Sequence, residues 1–295
     1  MMKTWPASTK RSDPGSTPPF PPAYSPSMPD HDLKQRLDLA LHAAIEAGKV
    51  TLDYFNTRAL GIETKGDGTP VTRADRMAEH SLRQIIGARY PADAVAGEEY
   101  GLCAGTSPFT WIVDPIDGTF SFIHGVPLYG TLVGLEKNGE MVAGVIHMPA
   151  LNESVYAARG LGAWHRMADA EPVPTHVSSV ASLDHALVLT TSSDYFRKAG
   201  LLEALDLIQR QAGHNRGWSD CYASLLVATG RAEAVIEPLI HKWDVAAIQP
   251  IIEEAGGRCS DWSGLSTVES PDCLISNGHL HDSLRALLPA SSLPR

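Results

Sequence analysis

Two aspartates and a threonine follow directly after an apolar, β-prone segment of the chain. Asp114 and Asp117 are three positions apart, and Thr119 comes shortly afterwards. Pro115 lies between the two acids, where it fixes one φ angle and removes one backbone donor, so the carboxylates can converge. Gly118 and Thr119 then offer N–H groups to an anion. These residue types in this order predict a joint site for a cation and a phosphate group.

The ligand atoms of this motif are hard oxygens, with no thiolate or imidazole beside them. Such a donor set selects Mg²⁺ or Mn²⁺ over zinc or copper. An ordinary turn at the end of a strand has the same composition, so the motif needs support from elsewhere. Three further acids supply it: Glu98, Asp244, and Asp75 at the start of a predicted helix. At Asp75 an acid could also serve the helix alone, through its dipole.

Two helices are predicted in the first part of the chain. The first begins at Asp32, as N-cap, and runs to about residue 56, because apolar residues recur at helical spacing. These residues are Leu33, Leu37, Leu41, Ile45, Leu52 and Phe55. The second helix covers about residues 74–90, and its predicted core face consists of Met77, Leu82, Ile85 and Ile86.

Strands dominate the middle of the chain, and strands alternate with helices after it. Residues 130–147 predict a hairpin about Asn138 and Gly139, and residues 154–165 repeat the pattern. The later elements are predicted strands at 186–191 and 234–237 and predicted helices at 199–211, 221–229 and 245–254. This order predicts an α+β half followed by an α/β half, with the active site where they meet.

We therefore expect three regions in the chain. Residues 1–30 hold eight prolines and almost no aliphatic side chains, which predicts a disordered Pro/Ser-rich tail. Residues 31–177 would form the N-terminal α+β subdomain with the metal motifs, and residues 178–295 the C-terminal α/β subdomain.

Composition excludes several functional classes. The chain is 43% apolar and 20% charged, as in soluble enzymes, and no apolar segment is long enough to span a bilayer. A formal net charge of −10 without a run of Lys and Arg argues against nucleic-acid binding. Four widely spaced cysteines indicate reduced thiols. We expect a cytoplasmic enzyme that binds neither nucleic acid nor membranes.

The acidic motifs together resemble those of the inositol monophosphatase family over about residues 33–264, and the histidinol-phosphate phosphatase branch in particular. The matching motifs, in the family's order and spacing, are Lys65 with Val71, Thr72 and Asp75; Gly97-Glu98-Glu99; Asp114 through Thr119; and Trp243-Asp244. The resemblance implies an α+β fold, layered α/β/α/β/α as in inositol monophosphatase and fructose-1,6-bisphosphatase. It also implies sensitivity to lithium and a homodimer.

The resemblance implies roles for individual residues too. About two or three Mg²⁺ ions, with Mn²⁺ as a substitute, would be bound in each site. Their ligands would be Glu98, Asp114, the carbonyl of Ile116, Asp117 and Asp244. Asp117, Gly118 and Thr119 would bind phosphate. Glu98, Thr119 and Asp75 are the candidate catalytic residues, of which Glu98 and Thr119 would orient the attacking water.

Four residues are candidates for the alcohol half of the substrate: Arg216, Asp220, Glu237 and Asp244. Asp220 precedes Cys221 and Tyr222, an order similar to the histidinol-phosphate branch, whereas inositol phosphatases have a small neutral residue in place of Asp220. Carboxylates at Asp220 and Glu237 suit an ammonium or imidazolium group better than a polyol. Alternatively, Asp220 caps its helix and Glu237 pairs with Arg216.

The sequence thus predicts a phosphoric monoester hydrolase that cleaves L-histidinol phosphate in histidine biosynthesis by attack of a metal-activated water. Inositol-1-phosphate or another small polyol phosphate is the alternative substrate. Substrates with a second phosphate are disfavoured, because no extra basic cluster is present. A regulatory protein without turnover is also disfavoured, because it would have no physical reason to keep mutually repelling acids.

Overall fold

The computed structural model describes residues 31–57, 60–64, 66, 69–218 and 220–289. The predicted tail over residues 1–30 and the matched residue Lys65 lie outside the described residues, so the expectations for them stay predictions. Within the described ranges, no helix combines the length and the apolar character that crossing a bilayer requires.

The elements are numbered here in chain order. The α-helices are α1 (His31–Leu52), α2 (Arg73–Arg89), α3 (Thr119–Ile123), α4 (Ser193–Lys198), α5 (Leu202–Gln211), α6 (Asp220–Ala228), α7 (Lys242–Ala246), α8 (Ile248–Glu254) and α9 (His281–Arg285). The strands are β1 (Glu63–Thr64), β2 (Pro70–Val71), β3 (Ala94–Gly97), β4 (Gly101–Cys103), β5 (Phe109–Asp117), β6 (Gly130–Lys137), β7 (Glu140–Met148), β8 (Glu153–Ala158), β9 (Ala163–Met167), β10 (Val173–Pro174), β11 (Leu187–Thr190), β12 (His214–Gly217), β13 (Ala234–Glu237), β14 (Arg258–Ser260) and β15 (Cys273–Ser276).

Two large sheets contain all the strands except β1 and β2, which pair with each other. The first sheet has eight strands in the order β10-β9-β8-β7-β6-β5-β3-β4, and only β3 and β5 are parallel neighbours. The second has five strands in the order β12-β11-β13-β15-β14, with β11 parallel to both β12 and β13. Ligands often bind at the carboxyl ends of parallel strands, and here Glu98 follows β3, Asp117 ends β5 and Glu237 ends β13.

Helices cover both faces of each sheet. Helices α1 and α2 pack on the outer face of the eight-stranded sheet, where Trp111 and Val145 belong to their core. The inner faces of the two sheets enclose α6, α7 and α8. Helices α4, α5 and α9 cover the outer face of the five-stranded sheet, against Val188 and Ile236. These five layers confirm the α/β/α/β/α sandwich.

The predicted buried face of α1 is partly wrong. Leu33 and Leu37 are buried as expected, but Leu52 is 41% exposed, and alanines fill most of the remaining buried face. The reason is close packing of the helix on β7: a Cβ atom on Gly48 would lie 2.8 Å from Cδ2 of His147. Large side chains would hold the helix away from the sheet. Asp32 lies inside the first turn rather than at the N-cap.

The prediction of the core face of α2 is also partly wrong, because Met77 is 42% exposed, whereas Leu82 and Ile86 are fully buried as expected. The two hairpins are confirmed. Between β6 and β7 the residues Asn138 and Gly139 have φ angles of 53° and 87°, the left-handed pair of a tight two-residue turn.

The second half of the chain contains the predicted strands 186–191 and 234–237 as β11 and β13. The predicted helix 199–211 corresponds to α5, which begins only at Leu202, after Gly200 with its left-handed φ of 74°. The short helix α4 before Gly200 was not predicted. The predicted helix 245–254 corresponds to α7 and α8. Sheet membership changes between β10 and β11, but the division into subdomains at residue 178 stays a prediction.

The packing of α1 on β7 can be tested with two glycine substitutions. Gly48→Ala should destabilise the fold by about 1–3 kcal/mol, because the added methyl group overpacks the contact with His147. Gly87→Ala in α2 is the matched control: a Cβ there meets nothing within 4 Å, so it should stabilise by up to about 1 kcal/mol. Urea unfolding measures both. Equal effects of the two substitutions would contradict the close helix–sheet contact.

Candidate metal and phosphate site

Three carboxylates meet where the two sheets face each other. One oxygen each from Asp114, Asp117 and Asp244 lies within 4.8 Å of the others. Asp114 and Asp117 end β5, where a bulge between them breaks the pairing with β6, and Asp244 lies in the first turn of α7. Asp114 is 2% exposed and Asp117 8% exposed. Acids that are far apart in sequence are therefore brought to one point.

Burial and mutual repulsion make this cluster costly without a cation. The pKa of Asp114 is raised well above its ordinary value by burial and by the charges of Glu98, Asp117 and Asp244. The pKa of Asp117 is raised well above its ordinary value by burial and by Asp220 and Asp244. A divalent cation would remove this repulsion, and all the donor atoms are hard oxygens. The residues present fit Mg²⁺ or Mn²⁺.

The turn between Asp114 and Thr119 is fixed by its own hydrogen bonds. The Ile116 N–H donates to Oδ1 of Asp114 at 3.0 Å, and the Ile116 carbonyl accepts the Thr119 hydroxyl at 3.0 Å. Gly118 has a φ of 88°, a left-handed conformation that favours glycine. The carbonyl of Ile116, a predicted metal ligand, thus lies in the same turn as the two acids.

Asp75 combines the two roles that the sequence left open. Its Oδ2 accepts the N–H of Thr72 at 2.7 Å and the Thr72 hydroxyl at 2.6 Å, which closes a capping box at the start of α2. Its Oδ1 lies 3.4 Å from the Thr119 hydroxyl. Burial raises the pKa of Asp75 to about 6, and the charge of Glu98 acts in the same direction. Asp75 therefore caps its helix and faces the cluster at once.

Glu98 follows β3 and is held in place by a residue that the sequence did not indicate. Glu79 in α2 is fully buried, and its carboxylate accepts the N–H of Glu99 at 2.7 Å and that of Tyr100 at 3.2 Å. Arg83 donates to the same carboxylate at 2.8 Å. Glu79 is four positions after Asp75 on one face of α2, and this spacing was the sequence signal that could have identified it.

The start of α6 links the cluster of Asp114, Asp117 and Asp244 to the part of the site that contains Asp220. The Cys221 N–H donates to Oδ2 of Asp117 at 2.5 Å. Asp220 opens α6, and its Oδ2 lies 2.8 Å from the position that a Cβ on Gly118 would occupy. A side chain at position 118 would therefore collide with Asp220. The alternative in which Asp220 caps its helix stays a prediction.

Glu237 ends β13 as a buried carboxylate with one oxygen in use. Oε1 accepts the N–H of Thr191 at 2.5 Å, whereas Oε2 is buried and has no hydrogen-bond partner among the described residues. Burial raises the pKa of Glu237 to about 8, with the charge of Asp220 acting in the same direction. Such a group is satisfied by an incoming donor, above all a cationic one.

Arg216 does not neutralise this acid. It is exposed on the edge strand β12, and its Nη1 donates to the carbonyl of Asn215 at 2.7 Å. No ion pair joins Arg216 to Glu237 in the described part of the chain, so the alternative in which Glu237 pairs with Arg216 is wrong. A contact of Arg216 with substrate stays a prediction.

Tyr195 in α4 is a further residue that the sequence analysis missed. Burial raises the pKa of its phenol, and the charges of Asp220, Glu237, Asp117 and Asp244 act in the same direction. The phenol therefore stays protonated beside the acids of the candidate metal site, Asp117 and Asp244, and beside Asp220 and Glu237. No motif surrounds Tyr195 in sequence, and its position depends on how α4 folds back after β11.

Comparisons with known proteins agree with this geometry. A model described as the inositol monophosphatase family matches residues 32–292. A histidinol-phosphatase of Chlorobaculum parvum is 45% identical over 240 residues, which cover 81% of this chain and 91% of the relative. One of Mycobacterium tuberculosis is 38% identical over 257 residues, covering 86% and 98%. The solved structure of an inositol monophosphatase from Zymomonas mobilis superposes with a TM-score of 0.75 at 31% identity, covering 86% of this chain and 97% of that one.

Removing one acid tests the cluster. Asp117→Asn should weaken Mg²⁺ binding at least about tenfold, measured by calorimetry. Replacing a residue that only hydrogen-bonds to a metal ligand already lowers metal affinity by about that factor, and a direct ligand should matter at least as much. Without metal, the melting temperature should hold or rise, because repulsion is relieved. The sign follows from the raised pKa of Asp117: its carboxylate ionises, and destabilises the fold, only as pH rises, so the gain should be larger at pH 8 than at pH 5.

The matched control is Asp206→Asn, which removes the same charge from an exposed ion pair with Arg210. It should alter neither Mg²⁺ affinity nor the pH dependence of melting. Unchanged Mg²⁺ affinity in Asp117→Asn would show that this motif does not hold the metal.

Proposed function

The chain belongs to the inositol monophosphatase family and is a phosphoric monoester hydrolase, and from that premise we propose that its substrate is L-histidinol phosphate. The reaction would yield L-histidinol and phosphate, with Mg²⁺ as the cofactor and Mn²⁺ as a possible replacement. Its place would be histidine biosynthesis in the cytoplasm, and the active form would be a homodimer. Two of the relatives described above carry the name histidinol-phosphatase.

The observation that carries the substrate assignment is Glu237. The Glu237 carboxyl group is 8% exposed, and its Oε2 has no hydrogen-bond partner among the described residues. A cationic ligand beside it would lower its raised pKa and favour the ionised form. Asp220 adds a second acid within range, since its charge helps to raise the pKa of Glu237. The ammonium or imidazolium group of histidinol phosphate would stabilise the ionised form of both acids. The hydroxyl groups of a neutral polyol would bring no such charge.

The cation ligands in this proposal are Glu98, Asp114, the carbonyl of Ile116, Asp117 and Asp244. When bound, the cations would supply neutralisation of the phosphate charge and activation of the attacking water. The Gly118 and Thr119 amides would donate to phosphate oxygens.

The chain's own groups would position and deprotonate the water. The Thr119 hydroxyl lies between the Ile116 carbonyl and Oδ1 of Asp75, so it can accept a hydrogen bond from the water and relay a proton. Asp75, with a pKa of about 6, is mostly ionised at neutral pH and can receive that proton. Glu98, held through Glu79, would orient the same water. The ester oxygen would leave on the side of Asp220.

Inositol-1-phosphate is the second candidate substrate. The observation in its favour is the structural similarity to the Zymomonas mobilis inositol monophosphatase. Both substrates would share the metal and phosphate half of the site. The two substrates differ in the group that each would bring to Asp220 and Glu237, so substitutions of these two residues can distinguish them.

Glu237→Gln should lower kcat/KM for histidinol phosphate about ten- to hundredfold, the size of a charge-assisted hydrogen bond of about 1.5–3 kcal/mol. Activity toward p-nitrophenyl phosphate, which has no cationic group, should change much less. Steady-state kinetics on both substrates measures the difference.

Glu233→Gln is the matched control. Glu233 is equally buried beside the other end of β13, where its carboxylate accepts the Leu187 N–H at 2.7 Å, far from the acidic cluster. It should leave the ratio of the two activities unchanged. If Glu237→Gln reduced both activities equally, the cationic substrate would be excluded and only the general phosphomonoesterase would remain.

Asp220→Asn provides a second, independent test of substrate class. The amide keeps the shape of the side chain against Gly118 but removes its charge. The loss in kcat/KM should again be about ten- to hundredfold on histidinol phosphate and small on p-nitrophenyl phosphate. A stability effect alone would lower both activities together.

Lithium inhibition is expected from the family membership. Li⁺ that replaces one cation after hydrolysis would retain phosphate in the site, so inhibition should be uncompetitive with substrate. Initial rates over a matrix of lithium and substrate concentrations test this. Competitive inhibition, or none, would place the reaction in another mechanistic group.

A further inference from the structure

Asp220 and Glu237, the two acids proposed to contact the alcohol half of the substrate, are called here the substrate wall. Thr191, the residue directly after β11, contacts both of them. Its hydroxyl accepts the Asp220 N–H at 3.0 Å. Its own N–H donates to Oε1 of Glu237 at 2.5 Å. Asp220 and Glu237 belong to different elements, α6 and β13, so Thr191 is the residue through which their positions are linked.

The contact with Asp220 matters because the backbone there is unusual. Asp220 has a φ of 38°, in the left-handed region that residues other than glycine seldom adopt. Such a conformation persists only where the surroundings impose it. The neighbouring N–H of Cys221 is held by Asp117, and the N–H of Asp220 by Thr191. These two bonds orient the carboxylate of Asp220 toward Gly118.

The contact with Glu237 determines which of its oxygens faces a ligand. Because the Thr191 N–H donates to Oε1, Oε2 is left buried without a hydrogen-bond partner among the described residues. The side chains of Thr190 and Thr191 are close enough to lower the pKa of this carboxyl group. Without that bond the side chain could rotate and expose either oxygen. Thr191 therefore orients one acid through its hydroxyl and the other through its amide.

We propose that Thr191 is a positioning residue that sets the selectivity of the site for the alcohol half of the substrate. The proposal rests on the proposed function, since Asp220 and Glu237 are taken to contact that half. It concerns neither the cations nor the phosphate group. No motif marks Thr191, because its two contacts are 29 and 46 positions away in sequence.

The test uses three variants of the full-length enzyme. Thr191→Val keeps the branched shape and the N–H but removes the hydroxyl, and Thr191→Ser keeps the hydroxyl. Thr229→Val makes the same change near the far end of α6, where the hydroxyl bonds to the Leu225 carbonyl. Two quantities are measured: the ratio of kcat/KM for histidinol phosphate to that for p-nitrophenyl phosphate, and hydrogen exchange of the Asp220 amide.

Thr191→Val should lower the ratio about fivefold, the size of one neutral hydrogen bond, mainly through KM, and should speed exchange of the Asp220 amide. Thr191→Ser should restore both quantities, and Thr229→Val should alter neither. An unchanged ratio in Thr191→Val, or equal losses in the valine and serine variants, would overturn the proposal.

The two hypotheses fail in different ways. If the wild-type enzyme preferred inositol-1-phosphate, the proposed function would be wrong, and the same variants on that substrate would still decide the role of Thr191. Exchange of the Asp220 amide needs no substrate. If it were unchanged in Thr191→Val, the positioning role would be wrong whatever the enzyme hydrolyses.

Discussion

Electrostatic repulsion among buried carboxylates is the constraint around which this molecule is organised. Asp114 and Asp117 are almost inaccessible to water, and Asp244 lies within 4.8 Å of both. Their raised pKa values show that ionising them in this environment is unfavourable. The fold compensates only in part, with single N–H donors from Ile116 and Cys221. A divalent cation would supply the remaining compensation, which would make the metal-binding and folding free energies interdependent.

The arrangement of the two sheets brings the acids together and also connects the two halves of the site. Asp117 comes from the eight-stranded sheet, yet it bonds to the start of α6, which packs between the sheets. Thr191 comes from the five-stranded sheet and bonds to the adjacent residue of the same helix. The first turn of α6 therefore donates hydrogen bonds to residues of both sheets or directly after them. Displacement of either sheet would disturb the metal cluster and the substrate wall together.

The sequence predicted the parts of the site that are local. Asp114, Asp117 and Thr119 belong to one turn whose chemistry can be read directly, and the order of the other acids identified the family. What it could not predict depends on tertiary contacts. Glu79 and Thr191 act through partners on other elements. The alternative pairing of Arg216 with Glu237 could be excluded only once Arg216 was found on an exposed edge strand. The error on α1 has the same origin, since small residues face β7 where the helix packs closely.

The most direct test of the central claim is proton release on metal binding. Mg²⁺ is titrated into the metal-free enzyme by calorimetry at pH 6 and pH 8, in buffers of different ionisation enthalpy. Because the pKa values of Asp114 and Asp117 are raised in the metal-free state, binding should release protons, and no more of them at pH 8 than at pH 6. Binding without proton release at either pH, or no binding, would contradict the account that a cation neutralises this cluster.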